Sequence, residues 1–428
     1  MRRPLPGDVS REALAGLTTF FTMAYIVVVN PAVLSGSGTG MPFTGVMTAT
    51  VLLSFSMTLL MGLYADLPFA VAPGMGLNAF FAYSVVLGRG VPWPVALGAV
   101  FWAGVLFVAV SATPLRVRLA EAIPPDLRAA AAAGIGLFLA FIGLKNAGFI
   151  VADPATFVRL GTLDAKVALS LAGGLLTVFM MRRRSPLAFL SGIFAVTVAA
   201  WAAGLISAPS SLLSPPDFGS VFLKLDARAA LAPALWSTVA VFLFTDLFDS
   251  VSTFVGVAHA TGLHDENGRP LRLKEGLLVD AFATLGAGLI GTSSGTAYIE
   301  SVSGIEMGGR TGLTSVFTAL CFLPCFFLGP LAAMVPPYAT APTLVIVGAL
   351  MFRSVRSISF ERLEDALPAF LTVALIPLTF SITQGLLWGF VSHAALYVLA
   401  GRRRELPAGR VVVAVLAVVL LAAEHDRR

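Results

Sequence analysis

Residues 66–86 read DLPFAVAPGMGLNAFFAYSVV. The stretch is apolar enough for a membrane, yet its first part is a poor helix. Pro68 and Pro73 bracket it, and Val71 favours extended backbone. A helix can start at about Met75 and continue through Asn78 and Phe81. A second interruption lies at 291–312, GTSSGTAYIESVSGIEMGGRTG, where small, polar and β-forming residues precede a short helix beginning near Glu300 or Ser301. Non-helical backbone is tolerated at membrane depth only where protein or a wet cavity satisfies it. Two such segments facing each other aim two helix N-termini, with free N–H groups and partial positive charge, at one midplane site. Ordinary surface loops would need flanking charges, and none occurs between Pro68 and Gly88.

The rest of the chain suits that arrangement. It has 428 residues, 57% of them hydrophobic and 12% charged, with a mean hydropathy of +0.89. Soluble domains carry about 25% charged residues. Apolar runs of membrane-spanning length, about 20 residues, recur from end to end. The expected fold is an all-α polytopic membrane protein with about 14 transmembrane segments. They are placed at 13–33, 44–64, 75–88, 92–112, 129–144, 165–181, 187–206, 233–259, 276–291, 301–312, 314–335, 341–352, 365–381 and 384–400. Two or three are too short to cross alone. The stretch 410–423 is left over, as an interfacial helix or a further short span. No small-residue cleavage site follows the first apolar run, so that helix is expected to be retained. Cys321 and Cys325, four apart on one apolar helix face, are poorly placed for a disulfide and read as small core residues.

Orientation follows from the basic residues. Of 28 Lys and Arg, six (Arg89, Lys145, Arg159, Lys166, Lys224, Arg228) fall on one side of these spans and three (Arg410, Arg427, Arg428) in the tail. The other nineteen, including Arg2, Arg3, Arg116, Arg118, Arg128 and Arg269, share the side of the N-terminus. Basic residues concentrate on the cytoplasmic side, so the N-terminus is expected in the cytoplasm and the protein in the plasma membrane (the inner membrane of a Gram-negative cell). Topology thereby explains the net charge of +5 without a nucleic-acid partner.

The two halves echo each other. FTMAYIVVVNPAV (21–33) resembles FTDLFDSVSTFVG (244–256), and both TPLRVRLAEAIPPDLRAA (from 113) and GPLAAMVPPYATAP (from 329) run from Pro-Leu to Ile/Val-Pro-Pro and into a helix. Seven spans per half, an odd number, make the repeat inverted (7+7), an arrangement that recurs in secondary transporters. The two broken segments, each a short strand plus a half-helix, are then spans 3 and 10.

The chemistry-bearing residues are acids. In the span at 233–259, Asp246, Asp249 (or Ser250) and Thr253 fall at helical spacing on one face, with Phe244, Leu247, Val251 and Phe254 opposite. An aspartate at the centre of a span costs about 2.5–3.5 kcal/mol on insertion scales, and no Lys or Arg lies nearby in sequence to pair with these. A membrane acid that alternates between protonated and charged forms can couple protons. A protonated Asp bonded to a backbone carbonyl is the alternative, and for Asp246 the two readings stay level. Glu300 lies where the second broken segment becomes a helix, so helix capping and ligand binding are both open to it. The histidines show no metal-ligand spacing, and no phosphate loop, nucleophile elbow or zinc-protease motif occurs. No metal or cofactor is expected, and the chain does not read as an enzyme.

With these residues in view, the chain resembles the nucleobase/ascorbate transporter superfamily. More narrowly it resembles the adenine/guanine/hypoxanthine (AzgA-type) branch, through APGMGLNAFF, LFDSVSTFVG, LHDENGRPLRLKEGLLVDA and GTSSGTAYIESVSGIEMGGRTGLTS. The resemblance runs from about Arg11 to Gly401. It implies proton symport of purine bases by an elevator-type movement of a core domain (13–112 and 233–335) against a gate domain (129–206 and 341–400), with 401–428 as a tail. A homodimer through the gate is also implied. In substrate binding, the family's acids of spans 8 and 10 map onto Asp249 and Glu300, and its second polar residue of span 8 onto Thr253. The uracil and xanthine branches carry Glu in span 8 and often Asn after the span 10 acid. Asp249 and Ser301 stand there instead, which fits the purine branch.

The residues themselves suit a neutral planar base. Carboxylates accept from its N–H groups, and the broken segments around Gly76 and Asn78 donate to its acceptors. Phe80, Phe81 and Tyr298 are candidates to cover its faces. The competing reading is a sulfate or bicarbonate transporter of the same architecture, since converging helix N-termini also suit anions. Two acids would repel an anion, and no basic residue is close in sequence to either broken segment. An intramembrane aspartyl protease would need its two aspartates on separate helices. A channel fits the broken, inverted repeat less well than alternating access does.

Overall fold

A computed structural model of the chain describes residues 6–36, 38–113, 123–209, 211–265 and 270–425. Arg2, Arg3, Arg116, Arg118, Arg269, Arg427 and Arg428 from the charge argument lie outside the described residues. So do parts of two quoted stretches, 114–122 and 266–269.

The protein is mainly helical, with helical residues in every expected segment. Among the described residues, eight helices are long and apolar enough to cross a membrane, from Val9–Leu34 to Ile382–Leu399. Their outward sides carry large apolar residues in the open, such as Leu175, Trp388 and Leu399. A soluble monomer does not show that much apolar surface; lipid covers it here. The leftover stretch forms a helix, Ala408–His425, in contact with Ile382–Leu399. The segment 314–335 is not one helix. Gly312–Phe322 gives way to a 3-10 turn, Leu323–Phe327, and then to Gly329–Ala333, because Pro324 and Pro330 each remove a backbone donor. Cys325 therefore sits in the turn and Cys321 in the helix, which corrects the single-face reading of the pair; both are free thiols.

The two broken segments meet. Strand β1 (Val71–Pro73) pairs with a second short strand (Gly295–Ala297) in antiparallel register, Val71 opposite Ala297 and Pro73 opposite Gly295. Each strand leads into a helix, Met75–Ala79 (continued as a wider π-helix, Phe80–Gly88) and Ser301–Glu306. The exposed backbone groups of this crossing are met one by one, as a buried backbone requires. The Ala70 N–H donates to Ser301 Oγ at 3.0 Å, and the Val71 N–H to Thr58 Oγ1 at 2.9 Å. The Tyr298 N–H donates to the Ala70 carbonyl at 2.9 Å, and the Gly74 N–H to that of Ser294 at 2.9 Å. Ser315 Oγ donates to the carbonyls of Leu67 and Phe69. The hydroxyls that looked merely small and polar in sequence hold the non-helical chain at depth.

A hairpin lies outside the helices: Ile150–Asp153 pairs with Phe157–Leu160. Its turn is closed by the backbone N–H groups of Ala155 and Thr156 donating to Asp153.

Candidate functional site

The long helix Trp236–Thr261 supplies the acids. It ends at Gly262, whose φ of +74° is the left-handed conformation that stops a helix. Its polar residues do not share one face, which corrects the sequence reading. Asp246 and Ser250, four apart, point at the helix Leu273–Ile290 and at the strand Gly295–Ala297. Asp249, about 60° round the helix axis from Asp246, lines an open cavity between this helix and the helix Pro125–Asn146. Phe244, placed by sequence on the apolar side, and Phe248 line that cavity with it.

Asp246 and Ser250 belong to a buried polar seam. Thr284 and Ser294 donate their hydroxyls to the Asp246 carboxylate, Ser294 at 2.5 Å. The Ser250 hydroxyl donates to the Asp280 carboxylate, and the Ala297 N–H donates to Asp280 Oδ1 at 2.7 Å. Ser250 and Thr296 share a hydrogen bond of 3.1 Å, and Thr284 and Ser294 one of 2.8 Å. Both aspartates have no solvent exposure, and Asp246 Oδ1 has no partner among the described residues. Asp280 was not singled out in the sequence. The available signal was a lone acid inside the apolar run GLLVDAFATLG.

Asp249 differs. It makes no side-chain hydrogen bond to the described residues. Its carboxylate faces a cavity of about 70 Å³ that is partly open to solvent. Gly76 and Leu77, at the start of the first half-helix, form one wall. A Cβ on Gly76 would lie 2.6 Å from Ile135 Cγ2, so only glycine lets the half-helix come this close to Pro125–Asn146. Phe244 and Phe248 stack in near-parallel planes, 9° apart, with ring centroids 6.3 Å apart.

Glu300 occupies the cap position of Ser301–Glu306 but makes no cap hydrogen bond. Its carboxylate accepts instead from the Tyr25 hydroxyl at 2.8 Å. Asn78 is fully buried, and its Oδ1 accepts from the Ser293 hydroxyl. The Tyr298 hydroxyl donates to the Pro73 carbonyl at 2.5 Å, and Thr253 is buried one turn beyond Asp249. Ser301 is committed to Ala70. Phe81 is fully buried in the core, and Phe80 stands edge-on to Phe242 at 4.8 Å. Asp249 and Gly76 thus line the cavity directly. Glu300, Asn78, Tyr298 and Ser301 lie in the strand crossing behind it, and Phe81 lies in the core.

Two further residues emerge from the structure. Asn30, fully buried, donates to Thr50 Oγ1 at 2.7 Å and to Thr292 Oγ1 at 2.9 Å, tying the first span to the second broken segment. Arg128 reaches the cavity from Pro125–Asn146, with its guanidinium 5.9 Å from the centre of the Phe248 ring. A basic residue far away in sequence thus comes to the site after all.

Comparison with known proteins gives the family and the fold. The family described as "Permease family" (Xan_ur_permease) matches residues 10–387. The chain is 41% identical to "Adenine permease AdeP" of Escherichia coli (strain K12), covering 95% of this chain and 91% of that one. It is 40% identical to "Guanine/hypoxanthine permease PbuO" of Bacillus subtilis (strain 168), covering 96% of each. Among solved structures, the transmembrane domain of the cyanobacterial bicarbonate transporter BicA superposes with a TM-score of 0.66 at 17% identity, covering 90% of this chain and 98% of that one. At that identity the likeness speaks for the fold.

Proposed function

Because the chain belongs to the xanthine/uracil permease family, a family of transporters and not of enzymes, we propose that it takes up purine nucleobases by proton symport. The observation that carries the reading is Asp249. Its neighbours Asp246 and Asp280 are occupied by hydroxyl and N–H donors, whereas Asp249 presents a carboxylate to the cavity with no described partner. Carboxylates accept hydrogen bonds from N–H groups, and a neutral purine offers these in the plane of its ring. Phe244 and Phe248 give the ring an apolar wall. The relatives named for adenine and for guanine/hypoxanthine support the substrate class.

In this reading Asp249 binds base and proton together, and Glu300, held by Tyr25, sets the base-recognising edge. Gly76, Asn78, Thr253, Tyr298, Ser301 and Phe81 shape the site from behind. Two carboxylates in one dry seam without a cation are costly when both are charged, so the Asp246–Asp280 seam is a second place where a proton can be held. The fourteen-span, 7+7 arrangement is supported by the antiparallel meeting of the two strand-plus-helix units. The core (13–112, 233–335) carries the acids and moves as an elevator against the gate (129–206, 341–400). The gate also forms the homodimer face, and the N-terminus is cytoplasmic.

The bicarbonate transporter's fold raises an anion as the rival cargo, and Arg128 would suit one. Asp249 in the same cavity opposes it. Uptake of radiolabelled hypoxanthine, guanine and adenine by cells lacking their own purine permeases tests the proposal. Accumulation against a gradient, abolished by a protonophore, is expected. Absence of purine uptake by a well-expressed protein would refute it.

A further inference from the structure

We infer that Arg128 makes the site select 6-oxopurines, the class of guanine and hypoxanthine, over adenine; this rests on the purine reading above. Sequence likeness does not rank the two classes, since the adenine and the guanine/hypoxanthine relatives are 41% and 40% identical. The cavity does. Arg128 projects into it from the wall facing Asp249, lying over the Phe248 ring at 5.9 Å. Its Nε is buried with no hydrogen-bond partner, and no carboxylate stands within ion-pair distance of it among the described residues. The residue as a whole is half-buried and lines the cavity, so a ligand there can reach it. The groups lining the cavity beside it are largely apolar: Leu127, Ala131, Ile135, Met351 and Phe390. The partner it lacks in the protein is one that a bound ligand can supply.

The chemistry of that ligand is set by what an arginine can do. A guanidinium has donors in a planar fork and no acceptor. A 6-oxopurine presents two acceptors side by side, the carbonyl O6 and the ring N7, and matches the fork in a bidentate way. Adenine presents at that edge one acceptor, N7, beside the N6 amino donor, so one N–H of the fork meets another N–H. The acid agrees with this choice. With O6 and N7 directed to Arg128, the ring N–H groups of a 6-oxopurine remain for Asp249, which accepts. Adenine carries no hydrogen on N1 and offers fewer ring N–H groups. Inorganic anions would also satisfy an arginine, but not one that shares its cavity with a carboxylate.

The test is inhibition of labelled hypoxanthine uptake by guanine, hypoxanthine, adenine, sulfate and bicarbonate, in the wild type and in Arg128→Met and Arg128→Lys, with membrane expression checked for each. In the wild type the 6-oxopurines should inhibit at concentrations roughly tenfold to hundredfold below adenine, the discrimination that one bidentate pair supplies. Arg128→Met should raise the hypoxanthine constant by that factor and leave the adenine constant within about threefold, while Arg128→Lys, charged but without the fork, falls between. If Arg128→Met weakens all purines equally, or if the wild type prefers adenine, Arg128 is not the selector although the permease reading stands. Competition by the anions alone, or no purine uptake at all, would overturn the permease reading and this inference with it.

Discussion

Asp246 and Asp249 stand three residues apart on one helix and face different surroundings. The first accepts hydroxyls from Thr284 and Ser294 inside the protein, and the second opens onto the cavity. Their substitutions should therefore differ in kind. Asp249→Asn keeps the shape and removes the charge. It is expected to abolish concentrative uptake while lowering the unfolding temperature by no more than about 2 °C, since no described hydrogen bond is lost. Asp246→Ala leaves two buried hydroxyls without their acceptor, at about 1–3 kcal/mol for each unsatisfied group, and should lower the unfolding temperature by several degrees. Uptake and thermal melts on the two variants check both; equal melting losses would contradict the distinction.

The Asp280 carboxylate fixes the second strand through the Ala297 N–H and the helix Trp236–Thr261 through Ser250. Asp280→Ala is expected to destabilise by about 2–4 kcal/mol, the upper part of the range for breaking a buried polar network. Asp280→Asn, which keeps an acceptor oxygen, should cost less than half as much. Denaturation of the two variants in detergent tests this, and a reversed order would show that charge rather than acceptance holds the strand.

Gly76 lets the first half-helix approach the helix Pro125–Asn146. An added methyl would meet Ile135 Cγ2 at 2.6 Å. Gly76→Ala is expected to reduce uptake at least tenfold, with partial recovery in Gly76→Ala combined with Ile135→Ala. Displacements of this size are enough to disturb a positioned site. Uptake by the double variant no better than that of the single one would argue against the contact.

On the side opposite the N-terminus, Asp217 clasps the 207–232 connection to the helix Phe43–Leu60. It accepts from the Ser220 hydroxyl at 2.7 Å and from Thr44 Oγ1 at 3.0 Å. The Ser220 hydroxyl foremost, then that of Thr44 and the backbone N–H groups of Ser220 and Gly219, hold its carboxyl below the usual range against a smaller effect of burial. A carboxyl depressed in the folded state stabilises fully above its unfolded value, about 3.9, and loses that contribution as pH falls through the folded value. The wild type should thus melt above Asp217→Asn at pH 7, and the gap should close below about pH 4. A gap independent of pH would assign the clasp to shape instead of charge.

The broken segments were legible because proline acts through the backbone alone. Pro68 and Pro73 forbid a helix whatever surrounds them, so the start at Met75 follows from local chemistry, as does that at Ser301 from the small residues before it. What tertiary contact decides was not legible. Helical spacing places Asp246, Asp249, Ser250 and Thr253 within one broad arc, and only the position of the neighbouring helix divides that arc between seam and cavity. Asp280 pairs with groups 30 and 17 residues away in the chain, a distance that periodicity does not carry. Arg128 lies 121 positions before Asp249 in the sequence and meets its cavity only through the fold. The hairpin at 150–160 was hidden in a connection too short to look like structure, although Asp153 and Pro154 mark its turn.

The central claim is that Asp249 binds a purine, and ligand-induced thermal stabilisation tests it most directly. The purified protein and Asp249→Asn are melted with adenine, guanine, hypoxanthine, sulfate and bicarbonate. A ligand at 100 times its Kd stabilises the folded state by about 2.7 kcal/mol, a shift of several degrees. Such a shift is expected with at least one purine in the wild type and is expected to be lost in Asp249→Asn. A shift with sulfate or bicarbonate alone, or a purine shift unchanged in Asp249→Asn, would contradict it.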